Sequence, residues 1–359
     1  MQMIKPQKLN PGDKVAIVSL SKGILGEPFA AHEIILGEKR LAEFGLIPVY
    51  MLNAKKGINF LNSHPEDRAA DLKQAFLDPS IKGVICAIGG ADTFNTVPYL
   101  LDDPEFVAAV TKNPKVFLGF SDTTNNHLMF YKLGLQTYYG QALLTDFAEF
   151  ADDMLPYTKE WTRQLLEPSP TKEIASSPVW YDERKDFGAS QVGAPRISHK
   201  ETRGFEVLRG QGVIEGELLG GCIESLYEAL VGGRFPNQAE VYKKYDLFPT
   251  VEQWQGKVLF VETSEERPEP NKMRQILTTL DKAGVLGSIS AVLVGKPQDE
   301  QYYEAYKQIW VEATNTYDLP IIYNMNFGHA DPRCILPYGG NVKIDFNEAK
   351  VILQEPLVA

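Results

Sequence analysis

Cysteine is scarce in this chain of 359 residues, which carries only Cys86, Cys222 and Cys334. The three are far apart, odd in number and without CxxC spacing, so they support neither a disulfide framework nor a cysteine-based zinc site. Disulfides are rare in the reducing cytoplasm. We therefore expect reduced cysteines and a cytoplasmic protein.

Positive charge and long apolar runs are also in short supply. The chain has 36 Lys and Arg against 47 Asp and Glu, a net charge of −11 at pH 7, which argues against a nucleic-acid partner. No run approaches the roughly 18 apolar residues of a membrane-spanning helix. The first twenty residues lack an apolar stretch ending at a small-residue cleavage site, so we expect neither a signal peptide nor a membrane partner.

Several motifs that mark metal and nucleotide cofactors are missing. The sequence contains no HExxH, no GxxxxGK[ST] and no complete GxGxxG after its first apolar run. These motifs supply zinc ligands, a phosphate-binding loop and a dinucleotide-binding turn respectively. The motif search therefore predicts no metal or nucleotide cofactor and gives no support to a nicotinamide enzyme.

The first half of the chain alternates short apolar runs with amphipathic stretches. This alternation predicts a parallel sheet with helices on both faces. A length of 359 residues is more than one core usually serves, so two domains are expected. Strands are predicted at 14–20, 46–52, 83–90 and 115–121, and helices at 30–45, 64–78 and 123–134.

The alternation stops at a segment rich in Pro, Ser, Gly and charge, a composition typical of connecting segments. We interpret 166–204 as a linker or insert between an N-terminal domain, 1–165, and a C-terminal domain, 205–359. The predicted fold class is α/β throughout. Later strands are predicted at 257–263, 289–295 and 319–329, with a helix at 303–314 and two short strands at the end of the chain.

Four predicted strand ends carry residues suited to chemistry. They are Gly89-Gly90, Ser121, Glu262 and His329, and ligands of open parallel sheets bind at the carboxyl ends of strands. A serine is a poor nucleophile unless a histidine takes its proton and a carboxylate orients that histidine. The three side-chain types therefore predict a nucleophilic triad.

A tight strand-to-helix turn would lift the Ser121 hydroxyl clear of the sheet and aim backbone N–H groups at a developing oxyanion. We expect those donors to be the N–H groups of Asp122 and Gly90. Structural roles remain open at this point, because Ser121 could cap a helix, Gly89-Gly90 could be a plain turn and His329 a loop residue. Glu262 could also be a surface acid, since Glu265 and Glu266 follow it and offer two other glutamates. Only half of the GxSxG motif is present, since Thr123 stands at its last position.

Longer matches give these residues a context. The stretches GFSDTT, VLFVETSEERP and FGHADPRCILPYGG, together with GDKVAIVSLSKG and IEGELLGGCIESL, resemble the family of LD-carboxypeptidases and microcin C immunity proteins. The resemblance implies a Rossmann-like N-terminal domain with a parallel sheet and a smaller, strand-rich α/β C-terminal domain. It also implies Ser121 as nucleophile, His329 as general base, Glu262 as orienting acid, no cofactor, and a homodimer.

Two branches of that family differ in substrate. LD-carboxypeptidases remove D-alanine from cell-wall tetrapeptides, whereas immunity proteins cleave the amide between an aspartyl group and a modified nucleotide. The stretch SSPVWYDERKDFG resembles the immunity branch, in which an aromatic residue here stacks on the nucleobase. We therefore expect Trp180 and Gly89 to bind substrate, with the carboxypeptidase activity as the alternative.

Overall fold

The computed structural model describes residues 3–359, which form two units. The first unit holds the chain up to Pro168, together with Arg184–Arg196 and Leu357–Ala359. The second holds Ser169–Glu183 and Ile197–Pro356. The segment between the two predicted domains is thus shared between the units.

The first unit is built on a parallel sheet whose strands run in the order β2, β1, β3, β4, β5. This is the order of doubly wound folds, whose ligands bind where the strand order reverses, here between β1 and β3. Both faces are covered, so the strands are nearly continuous apolar runs. The strands are β1 (Lys14–Val18), β2 (Ile47–Tyr50), β3 (Ile81–Cys86), β4 (Val116–Gly119) and β5 (Tyr138–Tyr139).

Helices of the first unit begin where the sequence supplies start signals. Pro65 opens one of them, followed by two acidic residues in its first turn, which favour the positive end of the helix dipole. Asp103 caps another by accepting hydrogen bonds from the N–H groups of Glu105 and Phe106. The helices are α1 (Ala31–Glu43), α2 (Ile58–Ser63), α3 (Pro65–Leu77), α4 (Val97–Leu101), α5 (Pro104–Lys112), α6 (Thr124–Lys132) and α7 (Pro156–Arg163).

The second unit is built on a mixed sheet in the order β6, β16, β15, β10, β11, β12, β13, β9. Strands β10 to β13 pair in parallel, and the flanking pairs are antiparallel. The strands of this unit are β6 (Lys172–Ile174), β7 (Val179–Tyr181), β8 (Ser198–Lys200), β9 (Glu206–Arg209), β10 (Val213–Cys222), β11 (Val258–Glu262), β12 (Ala291–Gly295), β13 (Ile321–Met325), β14 (Leu336–Pro337), β15 (Asn341–Asp345) and β16 (Lys350–Leu353).

Helices of the second unit include α11, whose buried residues lie three and four apart on one face, at Met273, Ile276, Leu277 and Leu280. The helices are α8 (Ile223–Val231), α9 (Pro236–Tyr245), α10 (Val251–Trp254), α11 (Pro270–Lys282) and α12 (Tyr303–Ala313). The predicted fold class, α/β with a Rossmann-like first domain and a strand-rich second domain, is confirmed.

The segment 166–204 contains regular structure as well as loops. Within it, β7 and β8 form a separate antiparallel pair in which Trp180 lies opposite His199, and β6 joins the edge of the large sheet through β16. No helix within residues 3–359 is both long enough and apolar enough to span a bilayer.

Strands β10 and β11 approach closely at Gly220, and this contact supports a prediction about stability. A Cβ at Gly220 would lie 1.7 Å from the carbonyl oxygen of Phe260. Gly220→Ala should therefore lower the free energy of unfolding by about 3 kcal/mol or more, because neither backbone can give way. Urea denaturation of the purified variant measures this loss.

Gly212→Ala is the matched control. Gly212 also has a positive φ, of 70°, but a Cβ there would meet nothing within 4 Å. Gly212→Ala should lower the free energy of unfolding by about 1 kcal/mol, from backbone strain alone. Equal denaturation midpoints for the two variants would contradict the close approach.

Candidate active site

Ser121 lies at a sharp corner between β4 and α6. Its φ is 63°, a left-handed value that is uncommon for residues other than glycine and is often found at functional sites. The side chain is almost buried, with 8% of the residue exposed. The backbone N–H of Ser121 donates to the hydroxyl of Tyr139, 3.1 Å away. The corner is thus a strained turn held in place from the neighbouring strand.

Gly89 lies directly against the Ser121 side chain. A Cβ at Gly89 would lie 2.9 Å from the Ser121 hydroxyl oxygen and 3.5 Å from the Asp122 nitrogen. Gly90 instead faces Ser21, because a Cβ there would lie 2.1 Å from the Ser21 hydroxyl oxygen. Only glycine allows both approaches, so the loop after β3 passes the serine without side chains between them.

An ion pair anchors this loop. The Arg68 guanidinium donates to both carboxylate oxygens of Asp92, at 2.8 and 3.1 Å. The same guanidinium donates to the Leu20 carbonyl, at 3.1 Å, and the Ser21 hydroxyl donates to Asp92, at 3.3 Å. Arg68 is fully buried, and bidentate pairs of this kind are geometrically specific. They fix the loops that follow β1 and β3.

The Asp122 side chain is engaged inside the first unit. Its carboxylate accepts from the Thr93 N–H, at 2.9 Å, and from the Asn125 side-chain amide, at 2.7 Å. Burial raises the pKa of this carboxyl to about 6, although the hydrogen bonds oppose the shift. Asp122 therefore ties the corner to the loop after β3 through its side chain, so of its groups only the backbone N–H remains for the predicted oxyanion contact.

His127 is buried in α6 with both ring nitrogens occupied. Nε2 donates to the Gly119 carbonyl, at 3.0 Å, and Nδ1 accepts from the Thr137 hydroxyl, at 2.7 Å. Burial lowers the pKa of this imidazole to about 4, so it is neutral at pH 7. It therefore supports the backbone before Ser121 and plays a structural role.

In the second unit, Glu262 and His329 form a buried pair. His329 Nδ1 donates to Glu262 Oε2, at 2.7 Å, and the His329 backbone N–H donates to the same oxygen, at 3.0 Å. The Glu262 side chain is fully buried, and that of His329 is 9% exposed. A carboxylate on Nδ1 fixes the ring orientation and tautomer and leaves Nε2 for a reacting proton.

Two glycines make room for the Glu262 carboxylate. A Cβ at Gly328 would lie 2.1 Å from the Glu262 Cγ, and a Cβ at Gly295 would lie 2.7 Å from its Cβ. Gly328 also has a φ of 87°, which favours glycine. The carboxylate therefore sits in a space that side chains at either position would fill.

Glu265 contacts the other side of the imidazole. Its Oε2 lies 3.1 Å from His329 Nε2, and its side chain is 58% exposed. The hydrogen bond from His329 lowers the pKa of Glu265 to about 2. Burial by itself lowers the pKa of His329, but Glu262 and Glu265 outweigh it and raise the pKa to about 10.

A third carboxyl, that of Glu224, interacts electrostatically with Glu262. Glu224 accepts from both the N–H and the hydroxyl of Ser264, at 2.9 and 2.8 Å. Burial and the charge of Glu262 raise the pKa of Glu224 to about 7. Close carboxylates disfavour each other's ionisation, so Glu224 holds its proton more strongly than an isolated carboxyl does.

Trp180 lies half-buried in β7, stacked on the His199 ring with centroids 4.1 Å apart and planes 20° apart. The Lys296 ammonium lies 4.8 Å from the indole centroid. The next residue, Tyr181, donates its N–H to the Asp331 carbonyl, at 3.0 Å. The strand carrying Trp180 is therefore joined to the loop that carries His329.

The structure groups the predicted residues by unit. Ser121, Asp122 and the two glycines lie together in the first, and Glu262, His329 and Trp180 lie in the second. Several supporting residues could not be found from the sequence because single arginines, tyrosines and glutamates give no motif: Arg68, Asp92, Tyr139, Glu224, Gly295 and Gly328. A glycine directly before His329 was the one usable signal.

Comparisons with known proteins cover nearly the whole chain. Models of the LD-carboxypeptidase N-terminal and C-terminal domains match residues 15–140 and 215–344. A probable murein peptide carboxypeptidase of Bacillus subtilis is 25% identical over 98% of this chain and 94% of its own length. The microcin C7 self-immunity protein of Escherichia coli is 25% identical over 81% of this chain and 78% of its own.

Solved structures agree. The structure of an MccF-like protein from Streptococcus pneumoniae in complex with AMP superposes with a TM-score of 0.91 at 43% identity, over 95% of this chain and 98% of that one. The microcin C7 self-immunity protein in complex with aspartyl sulfamoyl adenosine shares the fold, with a TM-score of 0.80 at 22% identity over 99% and 100% of the two chains. With both domain models matched in order, the chain belongs to the LD-carboxypeptidase family of serine peptidases, family S66.

Proposed function

We propose that this peptidase hydrolyses the amide between an amino-acyl group of the aspartyl type and a modified nucleotide, with Ser121, His329 and Glu262 as its triad. The hydrogen bond of 2.7 Å between His329 Nδ1 and Glu262 carries the assignment of roles. It leaves Nε2 as the nitrogen that accepts the serine proton. The positive φ of Ser121 supports its role as nucleophile.

The proposed reaction passes through an acyl-enzyme. Ser121 Oγ bonds to the amide carbon while its proton moves to His329 Nε2, and the N–H groups of Asp122 and Gly90 donate to the oxyanion. The C–N bond then breaks, and the leaving nitrogen takes the proton from Nε2. Water attacks the ester by the same steps in the second half, which releases the acid and restores Ser121.

The nucleotide part of the proposal is supported by the 43% identical protein from Streptococcus pneumoniae, whose structure contains AMP. In this chain, Trp180 presents a flat aromatic surface that already holds the His199 ring in parallel. A base would stack there by displacing or extending this pair, and Gly89 would leave space for substrate beside Ser121. Stacking of this kind contributes about 1–3 kcal/mol per base.

Removal of D-alanine from cell-wall tetrapeptides is the second candidate. It is supported by the murein peptide carboxypeptidase of Bacillus subtilis, which matches 98% of this chain. The triad would perform the same steps on either substrate. The homodimer expected from the sequence also stays a prediction, which light scattering of the purified protein tests.

Ser121→Ala should remove hydrolysis of aspartyl sulfamoyl adenosine and leave folding intact. Removal of a triad member typically leaves only the effects of oxyanion binding and substrate positioning, a loss of about 10⁶-fold in kcat. Product formation followed by chromatography measures this, and circular dichroism checks the fold. Turnover near that of the unmodified protein would reject Ser121 as nucleophile.

Glu262→Gln should lower kcat by roughly 10⁴-fold, because the amide no longer fixes the tautomer or compensates the imidazolium. Glu266→Gln is the matched control, since Glu266 follows the same strand but pairs with Arg234. It should keep kcat within a factor of about two. Similar losses in the two variants would show that Glu262 has no special part in catalysis.

Trp180→Ala should raise KM for aspartyl sulfamoyl adenosine by about tenfold or more and change kcat little, because remote stacking acts equally in ground and transition states. KM for a cell-wall tetrapeptide, which has no base, should change much less. Steady-state kinetics on both substrates measures the difference. Cleavage of the tetrapeptide alone would favour the carboxypeptidase candidate.

A further inference from the structure

His329 lies between two carboxylates, one on each ring nitrogen. Nδ1 lies 2.7 Å from Glu262 and Nε2 lies 3.1 Å from Glu265. Two ionised carboxylates this close to the ring favour a proton on each nitrogen. The arrangement therefore favours the imidazolium form of His329 in the ligand-free chain.

That charge state conflicts with the proposed reaction. A general base must offer an unprotonated Nε2 to the serine proton, whereas Nε2 here lies 3.1 Å from the Glu265 carboxylate, which favours a proton on that nitrogen. Glu265 is not needed to orient the ring, because Glu262 already does so from the other side with two hydrogen bonds. The Glu265 contact thus opposes the first step of catalysis.

We propose that Glu265 is a positioning residue that keeps His329 in its charged form until a free ammonium group of the substrate takes over the Glu265 carboxylate. This inference rests on the proposed function and adds a substrate class to it. The preferred substrate carries an unblocked α-ammonium beside the scissile carbonyl. Once the Glu265 carboxylate binds the ammonium instead of His329, Nε2 can lose its proton.

The exposure of Glu265 makes the exchange possible. The Glu265 side chain is 58% exposed, whereas the Glu262 side chain is fully buried. A ligand can therefore reach the Glu265 carboxylate but not that of Glu262. An α-ammonium lies two bonds from the carbonyl carbon that Ser121 attacks, and this carbon must lie close to Nε2. The ammonium therefore arrives within a few ångströms of Glu265 by the geometry of the substrate itself.

Electrostatics makes the exchange productive. A second cation near the ring disfavours the imidazolium, since like charges within about 4–6 Å repel. The loss of Glu265 as a partner acts in the same direction. Binding of an α-ammonium should therefore expel a proton from His329 as the substrate arrives, which couples substrate recognition to activation of the base.

Other charges face this cluster from several elements, and most of them are already paired. Arg234 pairs with Glu266, Arg267 with Glu183, and Arg333 with Asp331. Glu183 interacts electrostatically with both Glu265 and His329, and Glu224 with Glu262. The groups that face His329 and its carboxylates, or pair with groups that do, are Glu183, Glu224, Glu262, Glu265, Arg234, Arg267, Asp331 and Arg333.

The two candidate substrates differ in whether the residue that is cleaved carries a free α-ammonium group. An aspartyl nucleotide amide has a free α-ammonium on the residue that is cleaved. The third residue of a tetrapeptide has its α-nitrogen in a peptide bond, so it offers no such cation. If Glu265 acts as proposed, this protein should prefer aspartyl nucleotide amides over cell-wall tetrapeptides.

A fluorophosphonate that labels active serines tests the role of Glu265 without any assumption about substrate. The rate of Ser121 labelling should rise with pH as His329 loses its proton. In Glu265→Gln this rise should shift to lower pH by about one unit, so labelling near pH 7 is about tenfold faster. The pH profile of Glu266→Gln should match that of the unmodified protein. The profile of Glu265→Asp should lie between those of the unmodified protein and Glu265→Gln.

The outcomes distinguish the two levels of the proposal. Identical pH profiles for the unmodified chain and Glu265→Gln would overturn the role of Glu265 and leave the triad intact. Absence of labelling at Ser121 in the unmodified chain, at every pH, would overturn the triad and with it this inference. Mass spectrometry of the labelled peptide identifies the modified residue.

Calorimetry of binding tests the ammonium directly. Aspartyl sulfamoyl adenosine and its N-acetyl derivative are bound to Ser121→Ala in buffers of different ionisation enthalpy at about pH 6.5, where the α-amino group of the free ligand is already protonated. The free amine should release up to about one proton per chain, and the acetylated ligand close to none. Adding Glu265→Gln to Ser121→Ala should abolish the difference, and equal proton release by the two ligands would overturn the exchange.

Discussion

The hydrogen bond between His329 and the buried Glu262 is the contact on which the rest of the site depends. A fully buried carboxylate is costly unless its charge is compensated, and His329 compensates it through both its ring and its backbone. Space for that carboxylate comes from two glycines on neighbouring segments, Gly295 and Gly328. The absence of side chains at these two positions thus allows the second unit to hold the Glu262 carboxylate in a fixed position.

The first unit solves a similar problem at Ser121. A residue with a φ of 63° is strained, and such strain persists only where the surroundings determine the conformation. The Tyr139 hydroxyl, the Asp122 carboxylate and the buried His127 hold the corner from three sides. Glycines again provide the close approach, here from the loop after β3.

Negative charge around His329 exceeds what a triad requires. Glu262 binds Nδ1 of the ring, Glu265 lies 3.1 Å from Nε2, and burial and the charge of Glu262 raise the pKa of Glu224 to about 7. These carboxyls favour the imidazolium, which in the proposed mechanism helps once the serine proton has moved and hinders before it moves. A site with this charge is suited to a cationic group on the substrate, and the balance between the two charge states is where specificity can enter.

The alternating α/β pattern can be predicted from the sequence, because apolar runs and helix start signals are local. Strands β1, β3, β4, β11 and β13 all fall within their predicted ranges or within two residues of them. The sequence also placed Ser121, Glu262 and His329 at strand ends, since glycine and polar residues interrupt apolar runs there. Only tertiary structure decided which glutamate of three orients His329, that Glu265 contacts Nε2, and that Gly89 rather than Gly90 lies against Ser121. Those outcomes depend on distances of a few ångströms between segments far apart in the chain, which no local pattern of residues contains.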